Sequence, residues 1–197
     1  MKRIALTPAA VIGEAAALAD EAGLEAVTLS AVARRLGVQT PSLYSHVRDH
    51  AALLDGITVL ALDELGGRIA IATAGRSGRE ALEGLAAAHR SFALEAPGHW
   101  QSLHRRAGEA AVGSDAARTL VALNDAVLRG YGLPADQRVH AIRLIGSTID
   151  GFLALERIGN FDHSNPPPSE SWVRIVDALD ATLSAWSAGP RTESTTE

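Results

Sequence analysis

Between Leu36 and Asp49 the chain reads LGVQTPSLYSHVRD, and its polar members suit hydrogen bonding better than acid–base chemistry. Gln39 offers a bidentate amide, and Thr40, Ser42 and Ser45 offer short hydroxyls. Tyr44 carries a hydroxyl on a rigid ring, and His46 is planar. Between Gln39 and Val47 only Pro41, Leu43 and Val47 are plainly apolar. A helix so furnished presents what base edges demand: Gln pairs with adenine, while Ser and Thr serve several bases.

The other groups able to do chemistry are seven histidines, which invite a metal-dependent or hydrolytic helical enzyme built on the C-terminal His/Asp cluster. Their spacing argues against it. His46 and His50 are four apart, but Asp49 starts a new helix between them. His99 and His104 are five apart, a poor interval for a helical ligand pair. No Gly-x-Ser-x-Gly, phosphate loop or His-Glu-x-x-His occurs, so no catalytic residue, metal or cofactor is expected.

The elements that position the polar run are marked by strong local signals. Thr7-Pro8 reads as N-cap and first helical residue, and the helix stops at Gly23. Thr28 caps a second helix in which Leu29, Val32, Ala33 and Leu36 form one apolar stripe, ended by Gly37. Thr40 as cap and Pro41 at the first position start a third, buried by Leu43 and Val47. Two short helices around a Gly turn form a helix-turn-helix. Asp49 then caps a helix running to about Ala72.

After the linker TAGRSG, helices are expected from Ser77 to Glu95, around Trp100–Arg106, from Ser114 to Gly130, from Pro134 to Asn160, and from Trp172 to Trp186. The fold class is all-α, about nine helices. Residues 1–50 form a helix-turn-helix domain, 51–189 an effector-binding and dimerisation domain, and 190–197 a disordered tail. Ala-rich composition, the lack of cysteine and of any bilayer-length apolar run, and acids early in the chain point to a soluble cytoplasmic protein with no membrane partner.

Net charge is −5, which for the whole molecule speaks against nucleic acid. Residues 1–50 nevertheless net zero, and from Thr28 to His50 three arginines face only Asp49. A local basic surface binds phosphate even on an acidic molecule.

TLSAVARRLGVQTPSLYSHVRDHAALLDGI resembles the DNA-binding segment of TetR-family transcriptional regulators: a Thr-capped helix, Leu-Gly-Val, Leu-Tyr-x-His, and Leu-Leu in the following helix. The likeness runs from about Thr7 to Leu65. It implies that Gln39, Thr40 and Ser42 face base edges and that Tyr44 and His46 face phosphates; Pro41 and Ser45, in the same run, are counted with the candidate DNA-binding residues. Thr28 would meet a phosphate at a helix N-terminus, and Lys2 and Arg3 resemble a basic arm laid along DNA. Where the family often has a phosphate-binding Lys, this chain has His50, implying a weaker, pH-dependent grip.

HRSFALEAPGHWQSL and the segments from Thr148 and Ser171 onward resemble the ligand-binding domain of one TetR subgroup, which has a His-Gly pair where this chain has Asp150-Gly151. Phe92, His99, Trp100, Leu103, His104 and Asp150 are the candidate lining for an unknown small-molecule effector. The last two long helices are apolar on more than one face, which predicts a homodimer through Ile142, Ile145, Ile149, Phe152, Trp172, Ile175, Val176, Leu179, Leu183 and Trp186. Twofold symmetry predicts a palindromic double-stranded DNA operator, and the expected function is ligand-released repression.

Overall fold

The computed structural model describes residues 6–187, so Lys2, Arg3 and the 190–197 tail lie outside the described residues. Every regular element among them is helical: α1 (Pro8–Ala22), α2 (Leu29–Leu36), α3 (His50–Thr73), α4 (Gly78–Glu95), α5 (Pro97–Ser102), α6 (Glu109–Val112), α7 (Asp115–Arg129), α8 (Ala135–Arg157) and α9 (Pro168–Ser187), with 3-10 turns at Leu24–Ala26 and Thr40–Ser45. None of these helices is long and apolar enough to cross a membrane. The chain forms two compact units. One takes residues up to Arg68 together with Ser91–Leu120; the other takes Ile69–Arg90 and everything from Val121.

In the first unit the local signals act as their chemistry dictates. The Ala10 N–H donates to Thr7 Oγ1 and the Ala31 N–H to Thr28 Oγ1, each at 3.1 Å, closing the first turns of α1 and α2. Gly37 ends α2 in the left-handed conformation, φ 68°. The Ala52 N–H donates to Asp49 Oδ1 at 2.7 Å and caps α3. Val11, Ala15, Val32, Leu43, Leu53 and Ile57 are fully enclosed in one core.

Several expected elements differ. Thr40–Ser45 is a 3-10 turn whose cap position is Gln39 rather than Thr40, with no side-chain capping bond. Its backbone follows i to i+3 bonding, with the Ser42 N–H donating to the Gln39 carbonyl at 2.9 Å and the His46 N–H to the Leu43 carbonyl at 2.8 Å. The helix expected around Trp100–Arg106 starts at Pro97 and ends at Ser102, because Pro fits the first helical position. α9 likewise starts at Pro168, earlier than Trp172. The four-residue α6 is too short to show periodicity.

In the second unit the residues expected between two copies are mostly core of a single chain. Ile149 and Leu183 are 0 % exposed, and Ile145, Phe152, Trp172, Val176 and Leu179 are also buried. Ile142, Ile175 and Trp186 are half-buried. The reason is that α9 packs on α8 within the same chain, and α4 and α7 each reach α8 through an ion pair. Arg90 pairs with Glu156 and stacks on Trp172 at 5.2 Å, and Arg138 pairs with Asp125. The faces left open carry other residues: Val139, Arg143, Ser147, Gly151, Ala154, Leu155 and Ile158 on α8, and Val173, Arg174, Ala178, Ala181 and Ala185 on α9.

Because Leu43 is the main core residue of its turn, Leu43→Ala should destabilise the chain by about 2–5 kcal/mol in urea unfolding. A loss below about 1 kcal/mol would show that the turn is held by something else.

Candidate nucleic-acid interface

Leu43 (0 % exposed) and Val47 (7 %) point into the core, and this fixes what the rest of the turn presents. Gln39, Pro41, Ser42, Tyr44 and Ser45 are exposed, Tyr44 by 55 %, while Thr40 and His46 are half-buried. The Ser45 hydroxyl donates to the Ser42 carbonyl at 2.9 Å. Thr28 is exposed at the start of α2, its hydroxyl 3.1 Å from Ser30 Oγ. The structure therefore gathers Thr28 and the Gln39–His46 run on one unit.

The charges are distributed differently from the bare count. Arg35 is clamped by two α1 carboxylates: its Nη1 and Nη2 donate to Glu21 at 2.5 and 3.0 Å, and its Nε meets Glu14. Glu21 first and Glu14 second hold its proton more tightly than usual. Arg48 pairs with Asp49 at 2.8 Å. Two of the three arginines between Thr28 and His50 are thus already neutralised.

His50 also has a partner. Its Nε2–H donates to the Val27 carbonyl at 2.7 Å, tying α3 to the segment before α2. A neutral ring so bonded carries a lone pair on Nδ1, which accepts but cannot donate to phosphate.

Residues missed by sequence reasoning lie on two carboxylates. Asp20 of α1 accepts from the backbone N–H of Gly98 (2.7 Å), the N–H of His99 (3.0 Å) and His99 Nδ1 (2.7 Å). A Cβ on Gly98 would run into the Ala19 carbonyl, so the approach requires glycine. Asp55 of α3 accepts from Arg105 Nη1 at 2.5 Å and from the Gly108 N–H at 3.2 Å. Between them, Thr58 Oγ1 donates to the Ser102 carbonyl at 3.2 Å. The segment from Gly98 to Gly108 is therefore fastened to both α1 and α3. Sequence spacing held no sign of these pairs, which join positions far apart in the chain.

Of the candidate effector residues, Phe92 is enclosed, with the Arg68 guanidinium 5.3 Å from its ring centre and His99 edge-on at 6.4 Å. His99 also faces Glu64, at 4.0 Å from Nε2. Trp100 and His104 rings meet at 4.1 Å, and Leu103 is half-buried beside them in sequence. These five belong to the first unit. Asp150 belongs to the second, 3.7 Å from His89 Nδ1.

Comparison with known proteins bears on the whole chain. Residues 11–57 match the family model described as bacterial regulatory proteins, tetR family, and residues 82–179 match that of the tetracyclin repressor-like C-terminal domain. The uncharacterized HTH-type transcriptional regulator Rv0681 of Mycobacterium tuberculosis is 30 % identical over 80 % of this chain and 73 % of its own length. The uncharacterized regulator YobS of Bacillus subtilis is 31 % identical over 78 % of this chain and 80 % of its own. The chain belongs to the TetR family of transcriptional regulators. It is a helix-turn-helix DNA-binding regulator with a ligand-binding C-terminal domain, and its relatives are regulators, not enzymes.

Solved structures share its fold. BioQ of Mycobacterium smegmatis superposes with TM-score 0.72 at 21 % identity, covering 91 % of this chain and 99 % of that one. A TetR variant of Acinetobacter baumannii in complex with minocycline does so with TM-score 0.70 at 24 % identity, covering 92 % and 98 %.

The Arg105 guanidinium, working against partial burial, holds the Asp55 carboxyl below its usual range, and the Gly108 N–H adds to this. A carboxyl whose folded pKa is depressed stabilises the chain fully above its unfolded pKa, about 3.9, and loses that contribution as pH falls through the folded value. Asp55→Asn should therefore be less stable than the parent at pH 7, and the gap should close in acid. Urea midpoints measured across that range check this, and a gap independent of pH would contradict it.

Proposed function

We propose that this regulator is a homodimeric repressor that binds a palindromic operator and leaves it when a small molecule binds. The observation that carries the reading is the turn Thr40–Ser45. It buries Leu43 and leaves exposed a set of hydrogen-bonding groups with no part in the core. Gln39, Thr40 and Ser42, with Pro41 shaping the turn, read base edges. Tyr44, Ser45, His46 and Thr28 lie against phosphates, His50 adds no donor there while its Nε2–H is held by Val27, and Lys2 and Arg3 precede the described residues.

The dimer reading rests on the faces that α8 and α9 leave open. Ser147, Gly151 and Ala154 on α8 and Ala178, Ala181 and Ala185 on α9 are small enough for helices to approach closely, flanked by the exposed Leu155, Ile158 and Val173. A shallow groove between Pro166, Glu170, Ser171, Arg174, Ile175 and Ala178 borders the same face of α9. Two copies joined there around a twofold axis carry two reading turns, one for each half of an inverted repeat.

The effector reading rests on family membership and on the fastened Gly98–Gly108 segment, with Phe92, His99, Trp100, Leu103, His104 and Asp150 as the residues to test. A ligand that displaces this segment pulls on α1 through Asp20 and on α3 through Asp55, and so on the elements that carry the reading turn. It does so only to the extent of its differential affinity for the two states.

Selection from a randomised duplex library should return an inverted repeat. Gln39→Ala should change the selected sequence, whereas Tyr44→Phe should weaken selected and random duplexes alike. Recovery of no consensus would sink the reading. Sedimentation at micromolar concentration should give a dimer and Ala181→Arg a folded monomer; a wild-type monomer, or an Ala181→Arg variant that still dimerises, would refute the α8–α9 interface.

A further inference from the structure

We propose that Arg106, delivered by the C-terminal half of the sequence, is a DNA-phosphate contact that makes up for the cations the helix-turn-helix lacks. This rests on the DNA-binding reading above and extends its interface to a segment more than fifty residues beyond the reading turn. Residues 91–120 belong to the same compact unit as the helix-turn-helix. Within that unit Arg35, Arg48, Arg68, Arg105 and Arg118 each meet a carboxylate. Arg34 and Arg106 have no carboxylate at ion-pair distance among the described residues, and Arg106 is exposed.

The place of Arg106 is set by its neighbours. Arg105 and Gly108, on either side, both donate to Asp55 Oδ1. A Cβ on Gly108 would strike the Asp55 carboxylate, so the backbone lies directly on it. Asp55 is five residues from His50, the first residue of α3, or about 7.5 Å along the helix axis. That lies within the Debye length of about 8 Å at physiological salt. Asp55 is also near enough for its charge to act on both Arg48 and Asp49, at the end of the reading turn.

Arg105 neutralises Asp55, which would otherwise repel a phosphate approaching the start of α3. Arg106, adjacent and unpaired, then leaves the spot positive. This matters because, Arg34 apart, the other described cations of the helix-turn-helix are engaged: Arg35 by Glu14 and Glu21, Arg48 by Asp49, and the His50 Nε2–H by Val27. Glu109, exposed at the start of α6, is the one acid adjoining this stretch in sequence, three residues on, and opposes the effect.

Fluorescence anisotropy of a labelled random-sequence duplex, titrated with the full chain over a range of salt, tests the contact. Arg106→Gln should weaken binding about three- to fivefold, as for one exposed ion pair. It should also lower the slope of log affinity against log salt by about 0.9 per protomer. Arg106→Lys should restore the slope, since charge alone is at issue, and Arg118→Gln should leave it at the wild-type value. A wild-type slope in Arg106→Gln, or failure of the Lys variant to restore it, overturns the proposal while the DNA-binding reading stands. If wild-type protein shows no salt-dependent binding to any duplex, the DNA-binding reading falls and takes this one with it.

Discussion

Burial of Leu43 is the constraint on which the DNA-binding unit depends. A six-residue 3-10 turn has too few internal bonds to persist in water and no side-chain cap to close it. It exists because Leu43 and, one turn on, Val47 drop into the core shared by α1, α2 and α3. With those two positions committed, Tyr44 and Ser45 between them are turned outward and His46 is half-buried. Pro41 limits the backbone further, so the turn meets its target with little conformational freedom left to lose.

Around that turn, charge is arranged by pairing rather than by abundance. α1 supplies Glu14 and Glu21 to Arg35 and Asp20 to His99, while α3 supplies Asp55 to Arg105. Each acid thereby holds two stretches of chain in register. The exposed Arg35 pairs are worth little as free energy, but they determine which cations stay unpaired on the surface. An acidic protein can therefore present a positive patch, because its acids are matched to particular bases and leave others free.

Much of this was legible from the sequence where the signal was local. Thr7, Thr28 and Asp49 cap helices through bonds to residues three positions on, and Gly37 ends one through its own backbone freedom; each follows from neighbouring residue types. The turn Thr40–Ser45 was legible in its exposure but not in its helical type, since α5, of the same length and also with Pro in its first two positions, is α-helical and only packing separates the two. The fasteners at Asp20 and Asp55 were invisible, because a carboxylate does not announce a partner fifty or more positions away. Periodicity showed that α8 and α9 are apolar on several faces. It could not tell which face a neighbouring helix of the same chain covers, so Ile149 and Leu183 were placed at a surface they do not reach.

The discontinuous make-up of the first unit bears on how the protein comes into being. Asp20 waits for His99 and Asp55 for Arg105, so the reading turn is synthesised long before the residues that complete its surroundings. Chains grow N-terminus first at about 5–20 residues per second. For several seconds, then, α1, α2 and the turn exist on the ribosome with two carboxylates unmatched and one flank of α1 uncovered. A nascent chain in that condition is not yet the finished DNA-binding unit, even though every residue named in its reading turn has already been made. The partners that fasten α1 and α3 are thus complete only once translation has passed Gly108.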